Sequence, residues 1–531
     1  MLFNSYIFIF AFLPIVFLGF YLIGQYRSTL ALLWLAAASL FFYGWWDVRF
    51  VGLLLGSIVF NYGAAYGMGR LNARGSPGAA KILLAAAIAG DLLLLGYFKY
   101  AHFFAENLNQ ILGTRLPLSE VFLPLGISFF TFTQIAFLVD TCQGKAKETN
   151  FIHYALFVTY FPHLIAGPIL HHGEMMPQFA RRDVCRLDPG NVAAGLGIFV
   201  LGLAKKLWIA DPLGAIATPV FNAAAAGGHP YMLEAWIGAL AYTLQLYFDF
   251  SGYCDMAIGL SLLFNVRLPM NFDSPYKSTS VIEFWRRWHM TLSRYLRDYL
   301  YIPLGGSRKG LFQRYRNLVV TMLLGGLWHG AGWTFVIWGG LHGFFLVVNH
   351  AWRLFKTRMG WGEGGRLTAL GSGALTFVAV TVGWVFFRAS SAASALAVLG
   401  GMAGANGAAP TGVLAGKIFR RMSRNPESFF RRLLPSLDDP RQACLFVIAG
   451  LVIAWGLPNV RQLFLRHRPT CEDLEREEPP RKAGIWPGER LARFFTWENS
   501  ARQGVLYGVL FFLLIAYLAN AAKSEFLYFQ F

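Results

Sequence analysis

The chain has 531 residues, of which 56% are hydrophobic, 16% aromatic and only 14% charged, whereas soluble domains carry about 25% charged residues. That balance excludes an ordinary soluble protein, which would have to bury nearly every side chain, and fits one whose apolar surface faces lipid. The net charge of +18 would suit nucleic acid, but the Lys and Arg residues lie between apolar spans, as in the cytoplasmic loops of membrane proteins, so no nucleic-acid partner is expected.

A helix needs about 20 apolar residues to cross the hydrocarbon. Spans are expected near 5–24, 29–46, 50–69, 82–100, 151–170, 191–210, 234–264, 317–332, 333–352, 367–387, 442–457 and 503–520. The first lacks a basic leader and a cleavage site, and reads as a retained helix. Segment 117–140 is apolar but carries Pro117, Pro124 and Gly126, and reads as a broken or re-entrant helix. The expected fold is all-α and polytopic, with roughly eleven to thirteen helices, because backbone polar groups in lipid must be paired within the segment. One membrane domain over 1–531 is expected, with no internal repeat.

Residues 277–316 hold nine basic residues against Glu283 and Asp298, which predicts a cytoplasmic position. Segment 461–498 is charged and rich in proline, and reads as a second cytoplasmic loop. Residues 405–411 form a soft connection. The stretch 417–432 interleaves arginines with Phe419, Phe429 and Phe430, as an amphipathic segment at a membrane surface would. The cysteines at 142, 185, 254, 444 and 471 have no C-x-x-C spacing and are assigned to packing.

Within 282–306, Trp285, His289, Ser293 and Leu296 fall at i, i+4, i+8 and i+11, and share a face if the stretch is one helix. It is too charged to span and too aromatic for an ordinary loop. Composition alone favours an aromatic-belt helix with snorkelling arginines. In 323–343, His329 stands within an apolar run beside Trp328 and near Gly325, Gly326, Gly330 and Gly332. An ionisable residue inside a membrane is costly and marks function by default, and a neutral imidazole can take a proton from a hydroxyl. The glycines admit a substrate or a neighbouring backbone, so a helix-packing histidine remains the alternative. His342 reads as structural.

His163, His171, His172 and Glu174 match no zinc spacing, and Pro168 interrupts them, so interfacial histidines are favoured over a metal site. Asp249 and Asp255 lie in an apolar span. They are expected to pair with arginines of the 286–297 stretch.

WRRWHMTLSRYLRDYLYIPLGG followed by LWHGAGWTFVIWGGLHG resembles the paired signature of the membrane-bound O-acyltransferase superfamily. PLGISFFTFTQIAFLVD, HLIAGPILH, YFDFSGYCDMAIG and WVFFRA, together with the opening MLFNSYIFIFAFLP and the closing FLYFQF, resemble its bacterial alginate O-acetylase branch. The resemblance implies a ring of tilted helices around a thinned centre, where a cytoplasmic and an outer funnel meet near a catalytic histidine. His329 matches that histidine, and His289 matches the second signature histidine. The implied activity is acetyl transfer from acetyl-CoA, a substrate rather than a tightly bound cofactor, with no metal and with His329 as general base. The acceptor would be a hydroxyl of an extracytoplasmic polysaccharide or of a periplasmic acetyl-carrier or acetyltransferase protein. Trp285, Arg286, Arg287, Trp288 and Trp328 are expected along the donor path, with Asp249, Asp255, Arg297 and Asp298 in support. The expected location is the bacterial inner membrane, in contact with lipid. Two other classes compete: a proton-coupled transporter, whose inverted repeats are not seen, and a structural subunit of a polysaccharide secretion complex.

Overall fold

In the computed structural model the apolar runs become helices, and among the described residues the only extended pairing is a lone parallel bridge between Leu268 and Thr470. The structure describes residues 1–114, 121–146, 150–362, 364–408, 440–475, 495–520 and 525–527. Arg49–Ala73, Pro77–Leu112, Pro189–Ala225, Trp333–Arg358, Arg366–Arg388 and Ala501–Asn520 are each long and apolar enough to cross a membrane. Shorter apolar helices, including Phe8–Gly24, Ser28–Gly44 and Ile127–Cys142, pack among them. Large apolar side chains point outward, with Leu367 85% and Phe512 70% exposed. The interior is apolar as well, so the difference from a soluble protein lies in the outer surface, as a lipid solvent permits. The chain is therefore an all-α, multi-pass membrane protein.

Several expected spans change shape. Residues 151–170 do not form one crossing helix. The helix stops at Thr159, and 160–171 is non-helical yet buried almost throughout. Pro162 and Pro168 remove donors there, and such backbone survives at membrane depth only inside protein. Two other spans run longer than expected because π turns, Gly96–Tyr100 and Lys205–Ala210, carry the helix onward. The amphipathic stretch 417–432 lies outside the described residues. Of the expected loop 461–498, residues 476–494 also lie outside the described residues, and 461–475 is held by specific contacts. Arg461 pairs with Asp473, and Glu472 accepts the Met270 N–H at 3.0 Å.

Small residues set the closest helix contacts. A methyl group placed on Gly195 would stand 2.6 Å from the Gly259 carbonyl oxygen, and one on Gly202 would stand 2.6 Å from that of Gly252. Pro189–Ala204 and Met232–Leu262 thus meet backbone to backbone, as small-residue interfaces in membranes do. This pairing holds the long Met232–Leu262 helix behind the site.

Candidate active site

The helix Leu311–His329 ends at His329 because Gly330 turns extended, and the chain reverses through Gly332 into Trp333–Arg358. A methyl on Gly326 would lie 2.3 Å from the Phe335 oxygen, and one on Gly339 would lie 2.3 Å from that of Met322. These glycines of the motif therefore serve backbone approach, and the resulting tight hairpin presents His329 at its tip. The imidazole is buried, walled by the rings of Trp328, Phe387 and Trp338 at 4.9, 5.1 and 5.2 Å. Phe387 belongs to the WVFFRA motif.

His289 does not sit on a continuous helix, so the shared face expected from the spacing is not formed. Val281–Arg287 and Met290–Leu296 are separate helices, and His289 joins them with φ +43°. A non-glycine residue in the left-handed region is held there only by its surroundings. Asn271 supplies much of that hold. Its carbonyl accepts the Met290 N–H at 3.0 Å, and its amide oxygen lies 3.0 Å from His289 Nδ1. The same oxygen accepts the Thr291 hydroxyl at 3.0 Å, while that hydroxyl accepts the Ile169 N–H. The buried, non-helical 160–171 segment thus braces His289 through Thr291 and Asn271. The rings of His289 and His329 are 6.3 Å apart.

Two cavities approach this pair. One of about 630 Å³ runs along the first turns of Leu311–His329, from Arg314 to Met322, and is lined also by Trp285, Met290 and Thr291. Arg286, Arg294 and Arg297 make it basic. Glu472 is an acidic group in its wall, and burial raises that carboxyl above its usual pKa. The other cavity, about 140 Å³, reaches the far end of the same helix at Trp328 and His329, with Trp46, Lys99 and Ser128 in its wall. The histidine pair stands between them: neighbours of His289 line the first, and His329 itself lines the second.

Other expected residues divide accordingly. Trp285 and Arg286 line the larger cavity, and Trp285 Nε1 donates to His342 at 3.2 Å. Arg287 instead pairs with Glu283 at 2.9 Å, and Trp288 is packed against Trp384 and Phe272. Trp328 lies in the wall of the smaller cavity. Arg297 pairs with its neighbour Asp298 at 2.7 Å.

The expectation for Asp249 and Asp255 fails. Asp249 pairs with Lys206 at 2.8 Å, and Asp255 with Lys205 at 2.5 Å. The π turn at 205–210 brings both lysines onto the Met232–Leu262 helix, a partner choice that local sequence does not reveal. Asp255 shares a narrow cavity with Asn271, so it stands behind the His289 support.

The histidine cluster also resolves. His163 bonds the Phe157 carbonyl, and Glu174 pairs with Arg294. His171 and His172 place Nε2 at 2.9 and 3.0 Å from one Asp140 oxygen, which also accepts Tyr299 Oη–H at 2.6 Å. His171 Nδ1 accepts the Gly173 N–H at 3.2 Å, so its Nε2 carries the proton and donates. Three side chains that can ligate a metal thus form a hydrogen-bonded hub. Lys99, Asn271 and Ser128 were not among the expected residues. Lys99 carried a legible signal, an ionisable group inside an apolar span.

A buried histidine pair between two cavities marks the candidate site of this multi-pass helical bundle. The model of the membrane-bound O-acyltransferase family matches residues 89–392. A peptidoglycan O-acetyltransferase of Helicobacter pylori is 46% identical over 439 residues, covering 77% of this chain and 80% of that protein. A "probable alginate O-acetylase" of Pseudomonas putida is 40% identical over 538 residues, covering all of both chains. A teichoic acid D-alanyltransferase of Streptococcus thermophilus is 30% identical over 240 residues, 43% of this chain and 57% of that one. The chain belongs to the membrane-bound O-acyltransferase family, in its alginate O-acetylase-like branch, and is a membrane-bound O-acyltransferase.

Proposed function

We propose that the enzyme carries an acetyl group across the bacterial inner membrane, from cytoplasmic acetyl-CoA to a hydroxyl of an extracytoplasmic polysaccharide or of a partner protein that passes it on. The observation that carries this reading is the His289–His329 pair between a basic cavity and a second cavity that reaches His329. Arg286, Arg294, Arg297 and Arg314 suit the phosphates of coenzyme A, since guanidinium groups bind phosphate through fixed pairs of donors. The relatives named as O-acetyltransferases favour acetyl as the group moved.

In this mechanism the acceptor hydroxyl enters beside His329, whose ring takes the proton as the oxygen attacks the thioester carbonyl. The tetrahedral intermediate collapses with loss of the thiolate, and the proton returns to the departing sulfur. General-base help contributes about 10²–10⁴-fold, so fixing the thioester between the histidines must supply much of the remaining acceleration. Membranes containing the enzyme, supplied with radiolabelled acetyl-CoA, test this reading. Label should pass into extracytoplasmic polymer or protein, and should fail to do so with His329→Ala. Equal labelling by both would overturn it.

A further inference from the structure

The end of the catalytic helix has an unusual cap. The last carbonyls of an α-helix have no partner within the helix, and many helices satisfy them by turning into a left-handed residue. Leu311–His329 does not, because Gly330 is extended. Its final carbonyls are met instead by two consecutive side chains of another helix. Tyr100 Oη donates to the Leu327 oxygen at 2.8 Å. Lys99 Nζ donates to the Trp328 oxygen at 2.6 Å and to the His329 oxygen at 3.2 Å. Its third bond goes to Ser128 Oγ at 3.2 Å.

Residues 99 and 100 close the π turn Gly96–Tyr100 and both reach the end of the Leu311–His329 helix. A π turn costs hydrogen-bond geometry and recurs at functional sites. An ammonium within an apolar span is costly as well. Here three oxygens satisfy its three N–H groups, and its charge faces the negative end of a helix dipole. The ammonium is thus committed to the helix end, while its position in the wall of the smaller cavity keeps it next to His329.

We propose that Lys99 is a positioning residue for acyl transfer: by capping the Leu311–His329 helix it sets the backbone, and with it the imidazole, of His329 against the smaller cavity. This rests on the reading of His329 as general base. In this role Lys99 acts through the position of His329 rather than on the reacting atoms. A misplacement of about 1 Å at a reacting group costs about a hundredfold in rate, and that is the loss expected when the clamp is removed.

The test measures initial rates of labelled acetyl transfer from acetyl-CoA to endogenous acceptors in membranes carrying the full chain. Lys99→Met should lower kcat about a hundredfold with KM for acetyl-CoA unchanged, and Lys99→Arg, which keeps charge and donors, should recover most of it. Added to His329→Gln, Lys99→Met should cost nothing further, because its effect passes through His329. A wild-type kcat in Lys99→Met, a rise in KM instead of a fall in kcat, or a full additional loss on top of His329→Gln would each overturn the proposal. If Lys99→Met does not accumulate as folded protein, Tyr100→Phe is read in its place. That variant frees only the Leu327 carbonyl; about tenfold lower kcat at constant KM supports the clamp, and a wild-type kcat overturns it. Wild-type transfer by His329→Gln would sink the base assignment, whereas wild-type transfer by Lys99→Met beside an inactive His329→Gln would sink the clamp alone.

Discussion

The amide oxygen of Asn271 stands 3.0 Å from Nδ1 of His289, and Thr291 settles which atom donates. The Thr291 backbone N–H, 3.4 Å away, and its hydroxyl both meet that oxygen, so it is an acceptor and His289 Nδ1 carries the proton. The Nε2 atom then bears the lone pair, a tautomer fixed by a neighbour as in many functional histidines.

Asn271→Ala should therefore lower acetyl transfer by about tenfold to a hundredfold through loss of His289 orientation. Asn271→Asp keeps the acceptor and should retain more activity than Asn271→Ala. Initial rates on equal amounts of folded protein check this. A wild-type rate in Asn271→Ala would show that His289 needs no support.

His289 and His329 are close enough to act as a unit. His289→Ala should leave measurable transfer when His329→Ala leaves almost none, and the double substitution should be no worse than His329→Ala alone. Losses that simply multiply would mean that the two histidines serve separate steps.

The hairpin at the site is the part of the fold most exposed to small changes in volume. Gly326→Ala would drive a methyl into the Phe335 carbonyl, 2.3 Å away, whereas Gly340→Ala meets only Leu323 Cδ2 at 3.4 Å. Overpacking costs about 1–3 kcal/mol. Gly326→Ala should melt at a lower temperature in detergent, with Gly340→Ala close to wild type. Equal melting temperatures would mean that the hairpin can open at no cost.

Apolar run length was enough to read the helical class and the six long apolar spans, because lipid leaves the backbone few alternatives. His329 stood out for a similar reason, as an ionisable group in an apolar run, whereas His289 was singled out by the family resemblance, because its aromatic, basic stretch reads on composition as a belt helix. What the sequence concealed depends on long-range packing. The left-handed turn at His289 is held by Asn271, 18 residues earlier. The break after Thr159 is possible only because the bundle buries residues 160–171. Asp249 and Asp255 were visible as buried charges, but their lysine partners come from a π turn whose register no local pattern announces.

Orientation is tested at Lys309, which is exposed in the basic 277–316 segment. A cysteine introduced there, with the five native cysteines replaced, should resist an impermeant thiol reagent added outside intact cells and react once the membrane is opened. Labelling in intact cells would reverse the assignment of donor and acceptor sides.

The central claim is that His329 acts as a base and is not simply a bridge between helices. His329→Gln keeps similar size and a hydrogen-bonding amide but cannot take a proton at neutral pH. The most direct measurement is labelled acetyl transfer from acetyl-CoA by this variant, at matched expression and donor binding. The account predicts a fall of at least about a hundredfold; transfer near the wild-type rate would contradict it.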